Sequence, residues 1–266
     1  MAMSLLESII LGVVQGATEF IPISSSGHLI LVRSFFGAAS NLDLAYDAVL
    51  QMATAFAVIV SFRKDLFALT KALIHRLRGY NVPSKEGTLI NALILGTIPA
   101  IVLGLFLESY MESVFRNVYL VAGALLLGSF LMFYAEKVFQ GKEILTSKKG
   151  FWLGFFQSLA LIPGVSRSGA TISGGMILGL SREEATRFSF LLAVPILFGS
   201  GLKKFGDLLL SGDPQMFGLP LLVSSVIAFC VGLLAIRFLL QFLKTRTLLP
   251  FIIYRIVLAF AIFIFV

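Results

Sequence analysis

Two short polar segments, one in each half of the chain, most constrain how this sequence can fold. The first, residues 15–28, has the sequence QGATEFIPISSSGH, and the second, residues 157–169, has QSLALIPGVSRSG. Four pairs recur at a fixed offset of 142 residues: Gln15 and Gln157, Ser24 and Ser166, Ser26 and Ser168, Gly27 and Gly169. We therefore expect an internal duplication. Each segment contains a proline between apolar stretches, which predicts a break between two short helices.

The two copies differ where they have the most reactive side chains. The first has Glu19, Ser25 and His28 where the second has Leu161, Arg167 and Ala170. One copy supplies an acid, a hydroxyl and a base, and the other supplies a cation. Because these groups complement each other, we predict one site shared by both segments.

The apolar composition places the chain in a membrane. Only 13% of its 266 residues are charged and 58% are hydrophobic, whereas soluble domains have about 25% charged residues. A bilayer span takes about 20 residues, and six segments are candidates: residues 47–62, 88–107, 118–135, 186–201, 219–239 and 249–266. Four apolar stretches are too short to cross alone and flank the polar segments: residues 5–14, 29–36, 151–162 and 171–180.

We therefore predict an all-α polytopic membrane protein forming a single domain, residues 1–266, with pseudo-repeats 1–149 and 150–266. Each repeat is a re-entrant helical hairpin plus three transmembrane helices, which gives six full spans and four half-helices. An odd number of crossings inverts the second repeat, so the hairpin tips meet near the bilayer centre. Gly12 and Gly16 are expected to allow close helix packing.

Basic residues predict the orientation of the chain. The net charge is +7, and an excess of Lys and Arg is typical of cytoplasmic loops. Residues 63–85, 137–149 and 237–246 are rich in these residues and are placed in the cytoplasm, with both termini outside. Lys203 and Lys204, placed outside, are the exception. No nucleic-acid-binding motif is present, so no nucleic-acid partner is expected.

Ionisable residues within apolar surroundings indicate a functional site. A charged residue at a helix centre costs about 2.5 to 3.5 kcal/mol on insertion scales, and Glu19 and Arg167 are in such surroundings. One interpretation is that they only form a structural ion pair. The neighbouring polar groups exceed what one ion pair needs, which favours a polar ligand: Ser24, Ser25, Ser26, His28, Ser166 and Ser168.

The serines are expected to precede half-helices, so both breaks present helix N-termini. Free backbone N–H groups there favour an anion, and the Arg167 guanidinium suits phosphate oxygens. We predict a phosphate or diphosphate ligand bound by six residues: Ser24, Ser26, Gly27, Ser166, Ser168 and Gly169. Simple N-capping would explain only one or two of these serines.

The spacing of polar residues suggests two catalytic arrangements. Ser25 and His28 lie three residues apart, so one helix face allows the ring to orient or activate the hydroxyl. Gln15 and Glu19 lie four residues apart and together suit a divalent cation or a bound water. The sequence leaves open whether Ser25 attacks phosphorus, with His28 or Glu19 taking its proton, or whether activated water attacks while Ser25 only binds phosphate.

These motifs resemble those of the bacterial undecaprenyl-diphosphate phosphatase family, which is associated with bacitracin resistance. The resemblance extends through SFRKD at 61–65, LGTIP at 95–99, RFSF at 187–190, AVP at 193–195 and the pair Tyr254-Arg255. The family allows Glu or Gln at the leading position of the first motif. With Gln15 there, this chain has one carboxylate, Glu19, where some relatives have two, which puts a two-carboxylate mechanism in doubt.

The resemblance implies hydrolysis of undecaprenyl diphosphate to undecaprenyl phosphate at the periplasmic side of the bacterial cytoplasmic membrane. This reaction recycles the carrier lipid for peptidoglycan synthesis. The resemblance also implies a polyprenyl diphosphate lipid as substrate and a divalent cation, magnesium or calcium, as cofactor. The alternative is a lipid-phosphate or anion transporter, since many carriers share inverted repeats with broken helices. In that case Glu19 and His28 would couple transport to protons. The oligomeric state is left open.

Overall fold

The chain folds as a bundle of α-helices. The structure is a computed structural model that describes residues 4–36, 43–113, 117–211 and 218–265. Within these ranges the helices are α1 Leu5–Phe20, α2 Ser25–Phe36, α3 Asp43–Ser61, α4 Arg63–Leu77, α5 Ser84–Ser113, α6 Val118–Val138, α7 Ser147–Ser158, α8 Arg167–Ile177, α9 Arg182–Ser211, α10 Leu219–Phe242 and α11 Leu249–Phe265, with a 3₁₀ turn at Leu159–Leu161.

Several helices suit a bilayer. In the described part of the chain, four helices are long and apolar enough to cross a membrane: α5, α6, α9 and α10. They contain the predicted segments 88–107, 118–135, 186–201 and 219–239. The first predicted span falls largely in α3, which bends by 83° into α4, and the last falls in the shorter α11, with its final residue, 266, outside the described residues. A polytopic, all-helical membrane protein is confirmed.

Both polar segments lie at breaks between short helices, as predicted, and Gln15 and Glu19 lie four residues apart on the first of these helices, as expected. Helix α1 continues through Gln15 and Glu19 to Phe20, because the sequence offers no helix breaker before Pro22. Helix α2 then begins at Ser25 and α8 at Arg167. The expectation that all the serines precede their helices was therefore wrong for Ser25, Ser26 and Ser168, which lie in the first turns.

Each hairpin packs on a long helix from the other half of the chain. Helix α1 lies along α10, and α7 lies along α5. A Cβ atom at Gly12 would lie 2.6 Å from the Ser224 carbonyl oxygen, and one at Gly16 would lie 2.7 Å from that of Ala228. This confirms the predicted role of these glycines in close packing. Van der Waals contact of this kind is a main source of helix association in lipid.

Candidate functional site

The two breaks share an unusual backbone conformation. Ser24 has φ 75° and Ser166 has φ 74°, and among the described residues only these two non-glycine positions have positive φ. The Ser24 hydroxyl accepts a hydrogen bond from the Gly27 N–H at 3.3 Å, and the Ser166 hydroxyl accepts one from Gly169 at 3.2 Å. Each strained residue costs about 1 to 3 kcal/mol, and such strain clusters at functional sites.

The two breaks also contact each other directly. The Ser24 hydroxyl accepts a second hydrogen bond, at 3.1 Å, from the Gly164 N–H in the second break. Gly164 has φ +105°, and a Cβ there would lie 2.6 Å from the Val121 carbonyl oxygen, so only glycine fits. The predicted meeting of the two segments is therefore present in the structure.

Glu19 lies at the centre of the site and connects its two halves. One carboxylate oxygen, Oε2, accepts hydrogen bonds from Ser25 Oγ at 2.6 Å and Gln15 Nε2 at 2.9 Å. The other, Oε1, accepts from Arg167 Nη2 at 2.8 Å. Glu19 is only 6% exposed. These three partners lie on three different helices. The carboxylate therefore joins the Ser25 hydroxyl to the Arg167 guanidinium, which are 142 residues apart in the sequence.

Two polar atoms beside Glu19 have no hydrogen-bond partner among the described residues. They are Gln15 Oε1 and Arg167 Nη1, and both are buried. An unsatisfied buried polar group costs about 1 to 3 kcal/mol, and native structures contain few of them. One is an acceptor and the other a charged donor. Both atoms belong to residues that bond the same carboxylate as the Ser25 hydroxyl, an arrangement in which a polar ligand could supply the missing partners.

His28 lies beside this network but has other partners. Its Nδ1 atom is 2.7 Å from the Ser24 carbonyl oxygen, and its Nε2 atom is 2.7 Å from the Tyr254 hydroxyl. A carbonyl oxygen only accepts, so Nδ1 must hold the proton; a neutral ring then accepts from Tyr254 at Nε2. The Ser25 hydroxyl donates to Glu19 instead.

The predicted site residues thus fall into three groups in the structure. Gln15, Glu19, Ser25 and Arg167 form one hydrogen-bonded network. The six predicted phosphate ligands form the two helix caps: Ser24 and Ser26 with Gly27, and Ser166 and Ser168 with Gly169. His28 pairs with Tyr254 on α11. The cap hydroxyls shape the two helix N-termini, and a direct bond from them to phosphate stays a prediction.

Sequence reasoning gave no role to two residues of α11, Tyr254 and Arg255. Arg255 is fully buried and donates to Pro22 O in the first break at 3.3 Å and to Gly164 O in the second at 2.9 Å. It also donates to Ser129 Oγ at 3.1 Å. Arg255 therefore holds both hairpin tips in place. An arginine within the apolar run of α11 was itself a clue, since intramembrane charges are rare.

The site fits a divalent cation only in part. Among the described residues, no group of three or more His, Cys, Asp or Glu side chains is placed to hold a metal. Magnesium and calcium prefer oxygen ligands and are often held by one or two carboxylates together with substrate phosphates. The Glu19 carboxylate and the unpartnered Gln15 Oε1 match that smaller requirement.

Comparison with known proteins agrees with these features. A family model described as bacitracin resistance protein BacA matches residues 8–261. The chain belongs to this family.

Individual relatives match this chain over most of its length. An undecaprenyl-diphosphatase of Paenarthrobacter aurescens strain TC1 is 41% identical over 249 residues, covering 90% of this chain and 89% of the relative. Two more proteins of that name, from Arthrobacter sp. strain FB24 and Myxococcus xanthus strain DK1622, are 42% and 40% identical. They cover 89% and 90% of this chain, and 85% and 82% of their own lengths. The transporter alternative finds no support in these comparisons.

Proposed function

We propose that this protein is a membrane phosphatase that hydrolyses undecaprenyl diphosphate to undecaprenyl phosphate and inorganic phosphate. The activity would recycle the carrier lipid for peptidoglycan synthesis and confer bacitracin resistance. The observation that carries the proposal is the Glu19 carboxylate, which accepts from both Ser25 Oγ and Arg167 Nη2 between two helix N-termini. The names of the relatives specify the substrate.

In the first step, Ser25 Oγ attacks the terminal phosphorus. Glu19 takes the hydroxyl proton, because its Oε2 atom already accepts the Ser25 hydrogen bond at 2.6 Å. The new Oγ–P bond forms as the anhydride P–O bond breaks, and undecaprenyl phosphate leaves. The unpartnered Arg167 Nη1 and the amides of the two helix N-termini stabilise the negative charge on the transferred phosphoryl group.

In the second step, water hydrolyses the phosphoserine. Glu19 first gives its proton to the departing undecaprenyl phosphate and so becomes a carboxylate again. It then takes a proton from the attacking water, whose oxygen bonds to phosphorus as the Ser25 Oγ–P bond breaks. Glu19 passes that proton to Ser25 Oγ, to which it lies within hydrogen-bond distance, and inorganic phosphate leaves. His28 acts indirectly, because its Nδ1 atom donates to the Ser24 carbonyl oxygen and its Nε2 atom is held by Tyr254, so the ring fixes the first break beside Ser25.

A divalent cation, magnesium or calcium, belongs to the proposal as a cofactor. Gln15 Oε1 and the Glu19 carboxylate would hold it, and the diphosphate would complete its ligands. Such a cation would neutralise phosphate charge and orient the diphosphate.

The two halves are proposed to be inverted repeats, each with a re-entrant hairpin and three spans, six spans in all. The matching φ values and cap bonds at Ser24 and Ser166 support this arrangement. So does the exchange of partners, since α1 lies on α10 as α7 lies on α5. In this topology α3 and α11 are spans, and the single domain divides into residues 1–149 and 150–266.

The proposed location is the bacterial cytoplasmic membrane, with the site open to the periplasm and both termini outside. The predicted cytoplasmic ends meet at one end of the bundle. Glu136 at the end of α6 pairs with Arg182 at the start of α9 and accepts a hydrogen bond from the Leu248 N–H. Lys244, just after α10, lies 3.6 Å from Glu183. These contacts support placing the basic segments on one side.

The test is phosphate release from undecaprenyl diphosphate by the purified protein in detergent, with magnesium or calcium. We expect Glu19→Gln to abolish most release, because the amide cannot take the Ser25 proton and leaves Arg167 without its carboxylate. The matched control is Glu7→Gln, a buried acid on the same helix, about 18 Å away at 1.5 Å per residue.

Release by wild type and Glu7→Gln, with loss in Glu19→Gln, would support the proposal. An inactive but folded wild-type protein with either cation would overturn the phosphatase function. Equal activity of all three proteins would leave phosphatase function standing but remove Glu19 from the chemistry.

A further inference from the structure

Helix α4 differs from the spans around it. The chain turns by 83° between α3 and α4, so α4 cannot continue the line of the preceding span. Its surface mixes basic residues, such as Lys64 and Lys71, with large exposed apolar side chains, such as Phe67 and Leu77, which are 74% and 79% exposed. This composition suits a helix in the membrane interface, where apolar side chains enter the lipid and basic ones contact the headgroups.

A surface cavity of about 380 Å³ lies where α4 meets α5 and the start of α7. Volumes of this order suit a small-molecule headgroup or part of a lipid chain. Four of its lining residues are apolar and three are polar: Leu73, Leu77, Ile94 and Leu95, with Arg76, Asn91 and Ser147. None of these residues belongs to the Glu19 site. The cavity therefore combines an apolar wall with polar side chains that can donate hydrogen bonds.

Arg76 is the charged group of this cavity, and its position is fixed from α5. Its Nη1 atom donates to Asn91 Oδ1 at 2.5 Å. That bond uses one of the five N–H donors of a guanidinium. Ser147 contributes a hydroxyl from the first turn of α7, directly after the N-cap residue Thr146. A phosphate oxygen bound here would meet a guanidinium, a hydroxyl and the positive end of a helix.

We propose that this cavity binds an anionic phospholipid of the surrounding leaflet. The headgroup phosphate contacts Arg76 and Ser147, and an acyl chain lies along the apolar wall formed with Leu77 and Ile94. The apolar wall distinguishes this ligand from free phosphate, which would gain nothing from it. The neighbouring basic residues on α4, such as Lys64 and Lys71, add attraction to an anionic membrane surface.

The experiment compares retained lipid on three purified proteins by native mass spectrometry. Wild type, Arg76→Gln and the control Arg78→Gln are titrated with phosphatidylglycerol in detergent. Arg78 also lies at the end of α4, is exposed, and does not line the cavity. We expect about tenfold weaker binding in Arg76→Gln, because one charge-assisted hydrogen bond contributes about 1.5 kcal/mol, and little change in the control.

Two further arms identify the ligand chemistry. Phosphatidylcholine should bind more weakly than phosphatidylglycerol to wild type, and inorganic phosphate at millimolar concentration should displace little lipid. Ile94→Trp, which fills the apolar wall, should weaken phosphatidylglycerol binding without touching Arg76.

Equal binding by Arg76→Gln and wild type, or equal losses in Arg76→Gln and Arg78→Gln, would overturn the proposal. Efficient displacement by inorganic phosphate would assign the cavity to a free anion and also reject it. Since retained lipid is measured without turnover, these outcomes are independent of whether the phosphatase function stands.

Discussion

The first hairpin, α1 with α2, and the second, α7 with α8, share the backbone conformation of their cap serines but differ in chemistry. Ser24 and Ser166 have φ values within one degree, and each caps its helix through the N–H three residues later. At the offset of 142 residues, however, the acid, hydroxyl and imidazole of the first hairpin correspond to leucine, arginine and alanine in the second. The two breaks thus present a matching pair of helix N-termini, and in the proposed mechanism a few side chains assign attack to the first and charge stabilisation to the second.

Gln15 and Gln157, which occupy equivalent positions in the two hairpins, also differ in their hydrogen bonds. Gln15 Nε2 donates to Glu19 at 2.9 Å, but Leu161 occupies the position in the second copy that Glu19 has in the first. Accordingly, both amide atoms of Gln157 are buried without a hydrogen-bond partner among the described residues.

The largest effect is expected for Ser25→Ala. Loss of a nucleophile costs on the order of 10⁴-fold or more in turnover, and Ser25 is the hydroxyl that donates to Glu19. Ser34→Ala, on the same helix but with its hydroxyl donating to the Leu31 carbonyl oxygen, should retain most activity. The measurement is phosphate release, together with acid-quench trapping of phosphoserine. Substantial turnover in Ser25→Ala would favour direct attack by water.

Arg167→Ala should reduce turnover by about 10² to 10³-fold, as is typical for loss of one preorganised donor at a transition state. The control is Arg187→Ala, which also removes an arginine paired with a carboxylate, Asp65 at 3.0 Å, but on a more exposed surface. Both variants are assayed for phosphate release. If the two lose the same small factor, the second hairpin does not supply the catalytic cation.

Arg255→Met should lower the free energy of unfolding by about 3 kcal/mol or more. The substitution removes a buried guanidinium that bonds both breaks and leaves the Pro22 and Gly164 carbonyl groups unpaired. Thermal unfolding in detergent measures the loss, with exposed Arg237→Met on α10 as the control. A stable Arg255→Met protein with normal activity would show that the two hairpins keep their positions without the Arg255 hydrogen bonds.

Arg255 also marks the limit of what the sequence could predict. The helical class, the two breaks and a shared site that contains both Glu19 and Arg167 followed from apolar run lengths, prolines and the internal repeat. Hydrogen-bond partners on helices far apart in the sequence could not be predicted. The spacing of polar residues within one helix shows which side chains share a face, but it does not show which other helix packs against that face. The choice of Glu19 over His28 as the partner of Ser25 is of this kind, since Tyr254 on α11 engages the ring.

Tyr254→Phe should reduce turnover about tenfold, because it removes the hydroxyl that holds His28 Nε2 at 2.7 Å while keeping the stacked ring. The control is Tyr119→Phe on α6, because the Tyr119 ring stacks on Phe263 of α11 and not on His28. In a His28→Ala background, Tyr254→Phe should have no further effect if it acts through the ring. Additive losses would instead indicate that Tyr254 contacts the substrate itself.

The smallest effect is expected at the two glutamines, and its sign should differ between the hairpins. Gln157→Leu removes an amide that is buried without partners, so it should stabilise the protein by about 1 kcal/mol and leave turnover unchanged. Gln15→Leu breaks the bond to Glu19 and removes the proposed cation ligand, so it should lower turnover and raise the cation concentration needed for half-maximal activity. Thermal unfolding and phosphate release at varied magnesium measure both. If Gln157→Leu is instead destabilising and impairs turnover as much as Gln15→Leu, the second hairpin has a polar ligand of its own, and the division of chemistry between the two copies is less complete than the hydrogen bonds indicate.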